Sequence, residues 1–304
     1  MRRKILAGGI LAAIVLSLVL VAVLGGRQGP GPYGTGAAPG GQIGVIHIEG
    51  VIVGGRNPSV FSGGGAEDIA ARIREAADAP HIRAVVLRLN SPGGSAAASQ
   101  EISEAVLYLR ESGKRVVASM GDVSASGAYW IAAHADHIVA NPATITGSIG
   151  VIIQTYQLTG LYRILGIETE TYKSGPLKDM GAPDREPTPE ERAIFQGMVD
   201  DIYEQFVAVV ARGRGLPEAQ VRELADGRIF TGRQAYELGL VDELGGFQDA
   251  VRAAAELSGL DPEAVPVVEL DRRVLFRQFW FDFASLLRGT PPSWLLVAPA
   301  FDQR

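Results

Sequence analysis

A chain of 304 residues is long enough for one large domain with a substantial core, or for two small ones. Its apolar share of 47% excludes a multi-span membrane protein, and its net charge of -6 argues against nucleic acid as the main partner, because phosphate binding needs a positive face. The absence of cysteine excludes a disulfide framework, a thiol nucleophile and thiolate metal sites.

Arg2, Arg3 and Lys4 precede a stretch, residues 5–24, that carries no charge. As a helix it spans about 30 Å, the hydrocarbon thickness of a bilayer. The expectation is a cytoplasmic start at 1–4, a transmembrane anchor at 5–24 and everything beyond it on the extracytoplasmic side, since basic flanks stay inside. A cleaved signal peptide is the alternative; the run exceeds a usual signal-peptide core and no A-x-A site follows it. Residues 25–41 are rich in Gly and Pro, the composition of a flexible linker.

From Gln42 the pattern changes to short apolar runs alternating with helical stretches, which predicts an α/β domain with parallel pairing over 42–270. Strands are expected at 44–53, 84–89, 115–120, 137–140 and 168–173. Helices are expected at 66–77 and 96–111, from about Thr188, and at 231–238. Thr188, Pro189 and Glu191 read as N-cap, first helical position and capping box, and Gly239 as a left-handed helix stop. No internal repeat is evident. The tail at 271–304 gathers Phe276, Phe279, Trp280, Phe281, Phe283 and Trp294, as a packing arm, a subunit contact or a membrane-surface segment.

Four segments could carry chemistry. Ser91-Pro92-Gly93-Gly94 lies between a strand and a helix, where paired glycines let backbone approach a ligand; it is also an ordinary turn. Ser124-Ala125-Ser126-Gly127 would present the Ser126 hydroxyl at a helix start, with the Gly127 amide beside any oxyanion formed there. Read more simply, it is a small-residue cap. Lys173 and Lys178 lie in a Gly/Pro loop, and the chain holds only four lysines among its 28 basic residues. Arginine cannot give up its proton whereas a buried lysine can, so a lysine kept in an arginine-rich chain is a candidate general base. Thr146-Gly147-Ser148 reads as a strand start with a second hydroxyl.

A Ser–His–Asp triad would need His47, His81, His134 or His137. His134 is the best placed of these, but too near Ser126 in sequence to reach back across its own helix. His134 and His137 do not form the i, i+4 pair of a helical zinc site, so no metal is expected.

Together the four segments resemble the SppA family of bacterial signal peptide peptidases, in order and spacing. The resemblance runs from about 44 to 254 and includes Lys173-Ser174-Gly175-Pro176-Leu177-Lys178-Asp179, Gly213-Arg214-Gly215-Leu216 and the run from Asp226 to Gly246. It implies a ClpP/crotonase-like fold, a repeated ββα superhelix. It also implies that Ser126 is the nucleophile, Lys178 the general base, Ser148 the hydroxyl that orients the lysine, and Gly94 and Gly127 the oxyanion-hole amides. No cofactor is implied. The implied partners are peptides left after signal-peptide cleavage, membrane lipid around the N-terminal helix and further copies of the chain. Ala128 and Trp130 stand where the family usually has Gly and Tyr, and Ala182 and Asp184 where it has Ser and Phe, which bears on substrate preference. Two rival classes share the fold: a crotonase-type acyl-CoA enzyme, which needs no nucleophilic serine, and a non-catalytic membrane scaffold, which would not need Ser126 or Lys178.

Overall fold

A computed structural model of the chain describes residues 41–56 and 65–270. The expected anchor at 5–24, the linker up to residue 40 and the aromatic tail at 271–304 lie outside the described residues. Among the described residues no helix is long and apolar enough to cross a membrane.

Three adjacent parallel strands form the centre of the sheet: β1 (Gln42–Glu49), β2 (Ile82–Ser91) and β3 (Arg115–Ala125). Their near-continuous Val, Ile and Leu runs suit strands covered on both faces. The period of two sorts them cleanly. Ile46, Ile48, Val85, Leu87, Leu89, Val116 and Met120 face one core, which α1 (Ala66–Asp78) and α2 (Ala96–Glu111) cover. Ile43, Val45, Ala84, Val86 and Val117 face the other, where Ala250, Val251 and Ala254 of α8 (Phe247–Leu257) pack. Leu87 is fully buried, and Leu87→Ala would cost about 2–5 kcal/mol.

The remaining strands are short: β4 (His137–Ala140), β5 (Ile145–Gly147), β6 (Ile229–Thr231), β7 (Glu243–Leu244) and β8 (Val267–Glu269). The sheet order is β6-β5-β3-β2-β1-β8, with β4 and β7 branching from β3. β3 is the strand that forks. Val117–Met120 pairs with β4, whereas Val123–Ala125 pairs with β5. Every pairing is parallel except β5 with β6, so this is a mixed α/β sheet. The other helices are α3 (Gly127–Ala132), α4 (Thr159–Leu165), α5 (Pro189–Arg214), α6 (Glu218–Leu224) and α7 (Gly232–Glu237). α5 carries the expected Thr188/Glu191 capping box, and Gly239 takes the left-handed conformation just beyond α7.

Four expectations change. The strand expected at 44–53 ends at Glu49, because Gly50 takes φ 70° and turns the chain out of the ladder. β3 extends past Met120 to Ala125, because its last residues find a partner in β5. The segment at Thr146 ends a strand: β5 stops at Gly147, and Ser148 turns away with φ 50°. The strand expected at 168–173 does not form, and those residues are exposed without a pairing. Its alternation of Thr and Glu favours extended backbone but offers no apolar face to bury, and packing decides strand formation more than propensity does.

Candidate active site

Ser126 follows the last residue of β3 with φ 53° and ψ -122°, a backbone conformation that costs a non-glycine residue about 1–3 kcal/mol. The surroundings hold it there. Its amide donates to Gly147 O at 2.8 Å, and every residue of α3 behind it is buried. Tyr129 on that helix donates its hydroxyl to Leu240 O at 2.8 Å. Burial pushes the Tyr129 phenol well above its ordinary range, so it stays a neutral donor.

The Ser91–Gly94 loop packs against this turn. Gly93 N donates to Ser91 Oγ at 3.1 Å, and Ile52 clamps the loop from above, with Ile52 N to Gly93 O and Ser95 N to Ile52 O both at 2.9 Å. That clamp demands glycine at 94, where a Cβ would lie 2.1 Å from Ile52 O. It also brings two amides together, since a Cβ on Gly127 would sit 3.4 Å from Gly94 N. Neither the Gly94 nor the Gly127 amide has an acceptor among the described residues. Both residues line the same cavity as Ser126.

Ser148 arrives from the neighbouring strand. Ala125 pairs with Gly147 in the parallel β3–β5 ladder, so Ser126 and Ser148 leave adjacent strands at the same level, at the carboxyl edge of the sheet. Ligands bind at that edge in open α/β sheets. Ser148 N donates to Arg228 O at 2.8 Å, and Gly227 N donates to Ile149 O at 3.0 Å.

The cavity measures about 680 Å³. Its lining combines Gly94, Ser126, Gly127 and Ser148 with the apolar side chains of Trp130, Ile153, Ile202 and Phe206. The Trp130 and Phe206 rings meet at 4.9 Å between centroids. Neither Phe206 nor Ile202 is signalled by any local sequence pattern, because α5 reaches the site from some eighty residues away. The arrangement suits an extended chain that lays an apolar side chain against Trp130 and a carbonyl toward the two free amides.

Lys178 is not brought to this cavity within the single chain. It is exposed, in a run of turns where its amide donates to Gly175 O at 3.2 Å. Its ammonium has no hydrogen bond or ion pair among the described residues, which sets it apart from the other described lysines. Lys173 binds Asp179 at 2.8 Å. Lys114 donates to Ala76 O and Ala79 O, both at 2.6 Å, as a cap on the end of α1. Two of the lysines that stand out in the sequence are therefore held by structural partners.

None of the four histidines lines the Ser126 cavity. His47 bonds Glu269 and His137 bonds Glu243, each at 3.1 Å, and His81 is exposed. Burial, helped by Arg212 and Arg110, pushes His134 down to about 4, so it is neutral near pH 7.

The family model for peptidase family S49 matches residues 108–261. The chain belongs to peptidase family S49. That match spans Ser126, Ser148, Lys178 and all of α5. Among curated relatives, a candidate protease of Synechocystis sp. is 52% identical over 188 residues, 62% of this chain and 66% of its own length. Protease 4 of Haemophilus influenzae is 38% identical over 218 residues, 71% of this chain and 35% of the relative. The chloroplastic serine protease SPPA of Arabidopsis thaliana is 35% identical over 235 residues, 76% of this chain and 35% of the relative. The chain thus spans about two thirds of the first relative and about a third of the other two. The resemblance to the SppA family read from the four motifs agrees with these matches.

Proposed function

We propose that this protein is a serine endopeptidase in which Ser126 is the nucleophile and Lys178 the general base. The observation that carries the reading is the convergence at one cavity of a strained, half-buried serine with two amides that have no acceptor. Backbone strain persists where the surroundings over-determine it, and it collects at functional sites. Neutral Lys178 accepts the Ser126 proton as the hydroxyl attacks the scissile carbonyl, while the amides of Gly94 and Gly127 hold the oxyanion. The lysine then returns the proton to the leaving amine, and water resolves the acyl-enzyme. Ser148 orients the lysine amine. No metal or organic cofactor enters these steps.

The apolar wall of Trp130, Ile153, Ile202 and Phe206 favours peptides with large apolar side chains, such as signal-peptide remnants and other membrane-associated peptides. The family relationship supports a ClpP/crotonase-like reading of the mixed sheet. The charge-free run at 5–24, behind Arg2 to Lys4, supports a single-pass anchor with the catalytic domain on the extracytoplasmic side. Exposed Lys178 needs a covering surface before it can serve as a neutral amine, and a second copy of the chain supplies one in this reading. Ile152, Ile164 and Leu165 are respectively 80%, 83% and 60% exposed, an apolar surface suited to such a contact.

A serine-reactive phosphonate tests the core of the proposal. It should label the wild type at Ser126 and leave Ser126→Ala unlabelled and inactive. Equal labelling of both proteins would sink the assignment of the nucleophile.

A further inference from the structure

One arginine ties the loop that carries Lys178 to the first turn of α5. Arg185 donates from Nε and Nη2 to the two carboxylate oxygens of Asp179, at 3.0 and 2.9 Å, and from Nη2 to Asp179 O at 3.2 Å. The same guanidinium donates to Glu191 through Nη1 at 2.9 Å, and through Nη2. Glu191 is only 1% exposed and also accepts the Thr188 amide at 2.7 Å, so it belongs to the first turn of α5. Lys173 adds a second cation to Asp179 at 2.8 Å. The sequence made Glu191 visible only as a helix cap.

We infer that Arg185 is a positioning residue for Lys178, fixing its loop to the start of α5 and occupying the Asp179 carboxylate so that it does not pair with the neighbouring lysine amine. The inference rests on the reading of Lys178 as general base. Asp179 follows Lys178 directly in the chain. A carboxylate left free there is a partner within reach of a flexible four-carbon amine, and such a pair favours the protonated amine, which cannot accept the serine proton. With Arg185 and Lys173 on it, the Asp179 carboxylate is already satisfied. The charged groups of the loop are Lys173, Asp179, Asp184, Arg185 and Glu186. Glu191 is the charged side chain that α5 brings to Arg185. Bidentate pairing is what a planar guanidinium does and a lysine does not. Arg185 touches neither substrate nor reacting atoms in this account and acts through Lys178.

The test uses the full-length protein in detergent, with a fluorogenic peptide bearing large apolar residues. Arg185→Gln should lower kcat by about tenfold or more with KM within about twofold, because the cavity walls are untouched. The acid limb of its kcat/KM profile should move up by about half a pH unit, roughly a threefold loss of the active form at fixed pH. The double variant Asp179→Asn/Arg185→Gln removes the carboxylate, whose Oδ2 the single variant leaves without its arginine partner, and should return the limb to the wild-type position. A purely structural role for Arg185 leaves the limb displaced equally in both, and that overturns the inference. So does a wild-type profile in Arg185→Gln beside an inactive Lys178→Ala. Full activity in Lys178→Ala is a separate failure, because it removes the general-base reading on which the inference stands. If Arg185→Gln does not fold by circular dichroism, Asp179→Asn alone decides: an acid limb at or below the wild-type pH supports the role, and one displaced upward refutes it.

Discussion

Ser126 and Ser148 are the two non-glycine residues with positive φ among the described residues, at 53° and 50°, and they leave paired strands side by side. Two strained positions facing one cavity cost stability, and the hydrogen bonds from Ser126 N to Gly147 O and from Ser148 N to Arg228 O hold them in place.

Relief of that strain separates stability from activity. Ser126→Gly should melt at or above the temperature of Ser126→Ala, although glycine at an ordinary helix or strand position loses about 0.5–1 kcal/mol to alanine. Both variants should be inactive. Differential scanning calorimetry reads the order; a clearly lower midpoint for the glycine variant would mean that the turn is unstrained.

The two loop lysines should behave differently. Lys178→Ala is expected to lose peptide hydrolysis by at least about a hundredfold, a typical loss for a general base, with the fold intact. Lys173→Ala should lose less than about tenfold, because Arg185 still holds both oxygens of Asp179. Steady-state kinetics on the two purified variants decide this, and equal losses would leave the base unassigned between them.

Acid should loosen the start of α5. Hydrogen bonds from Arg185 and from the Thr188 amide hold the Glu191 carboxyl down at about 2, and Arg185 and Lys173 hold that of Asp179 lower than its ordinary range. A carboxyl whose folded value is depressed stabilises above its unfolded value, about 4.3 for Glu, and loses that contribution as pH falls toward the folded value. The wild type should therefore lose stability between about pH 4 and pH 2. Glu191→Gln should show a shallower dependence in that window, measured by denaturant midpoints at each pH. A parallel pair of curves would show that Glu191 is not linked to folding.

Assembly and activity should track each other. A chain beginning at Gln42 should sediment as a multimer, and its specific activity should fall on dilution below the assembly concentration, since Lys178 is exposed and absent from the cavity lining in one chain. A monomer that keeps full activity under assay conditions would place the whole site in a single chain.

External protease tests the membrane expectation. Added to intact cells with a permeable outer layer, it should digest the domain. Protection until lysis would place the domain in the cytoplasm and overturn the argument from Arg2, Arg3 and Lys4.

The sequence by itself determined the elements whose signals are local. α2 and β4 have the bounds that their periodicity predicts, and the Thr188/Glu191 box marks the start of α5 correctly, because capping and amphipathic spacing act within a few residues. The motifs around Gly94, Ser126 and Ser148 were legible for a related reason, since tight turns demand small residues at fixed positions. What only the tertiary structure decided depends on contacts between distant parts of the chain. The extension of β3 to Ala125 needs β5, and 168–173, which has no apolar face to bury, pairs with no strand. The apolar wall needs Phe206 and Ile202 from α5. The bond of Arg185 to both Asp179 and Glu191 depends on how the loop folds back onto its helix. Such pairings arise when burial and charge are satisfied across the fold, and no spacing along the chain encodes them.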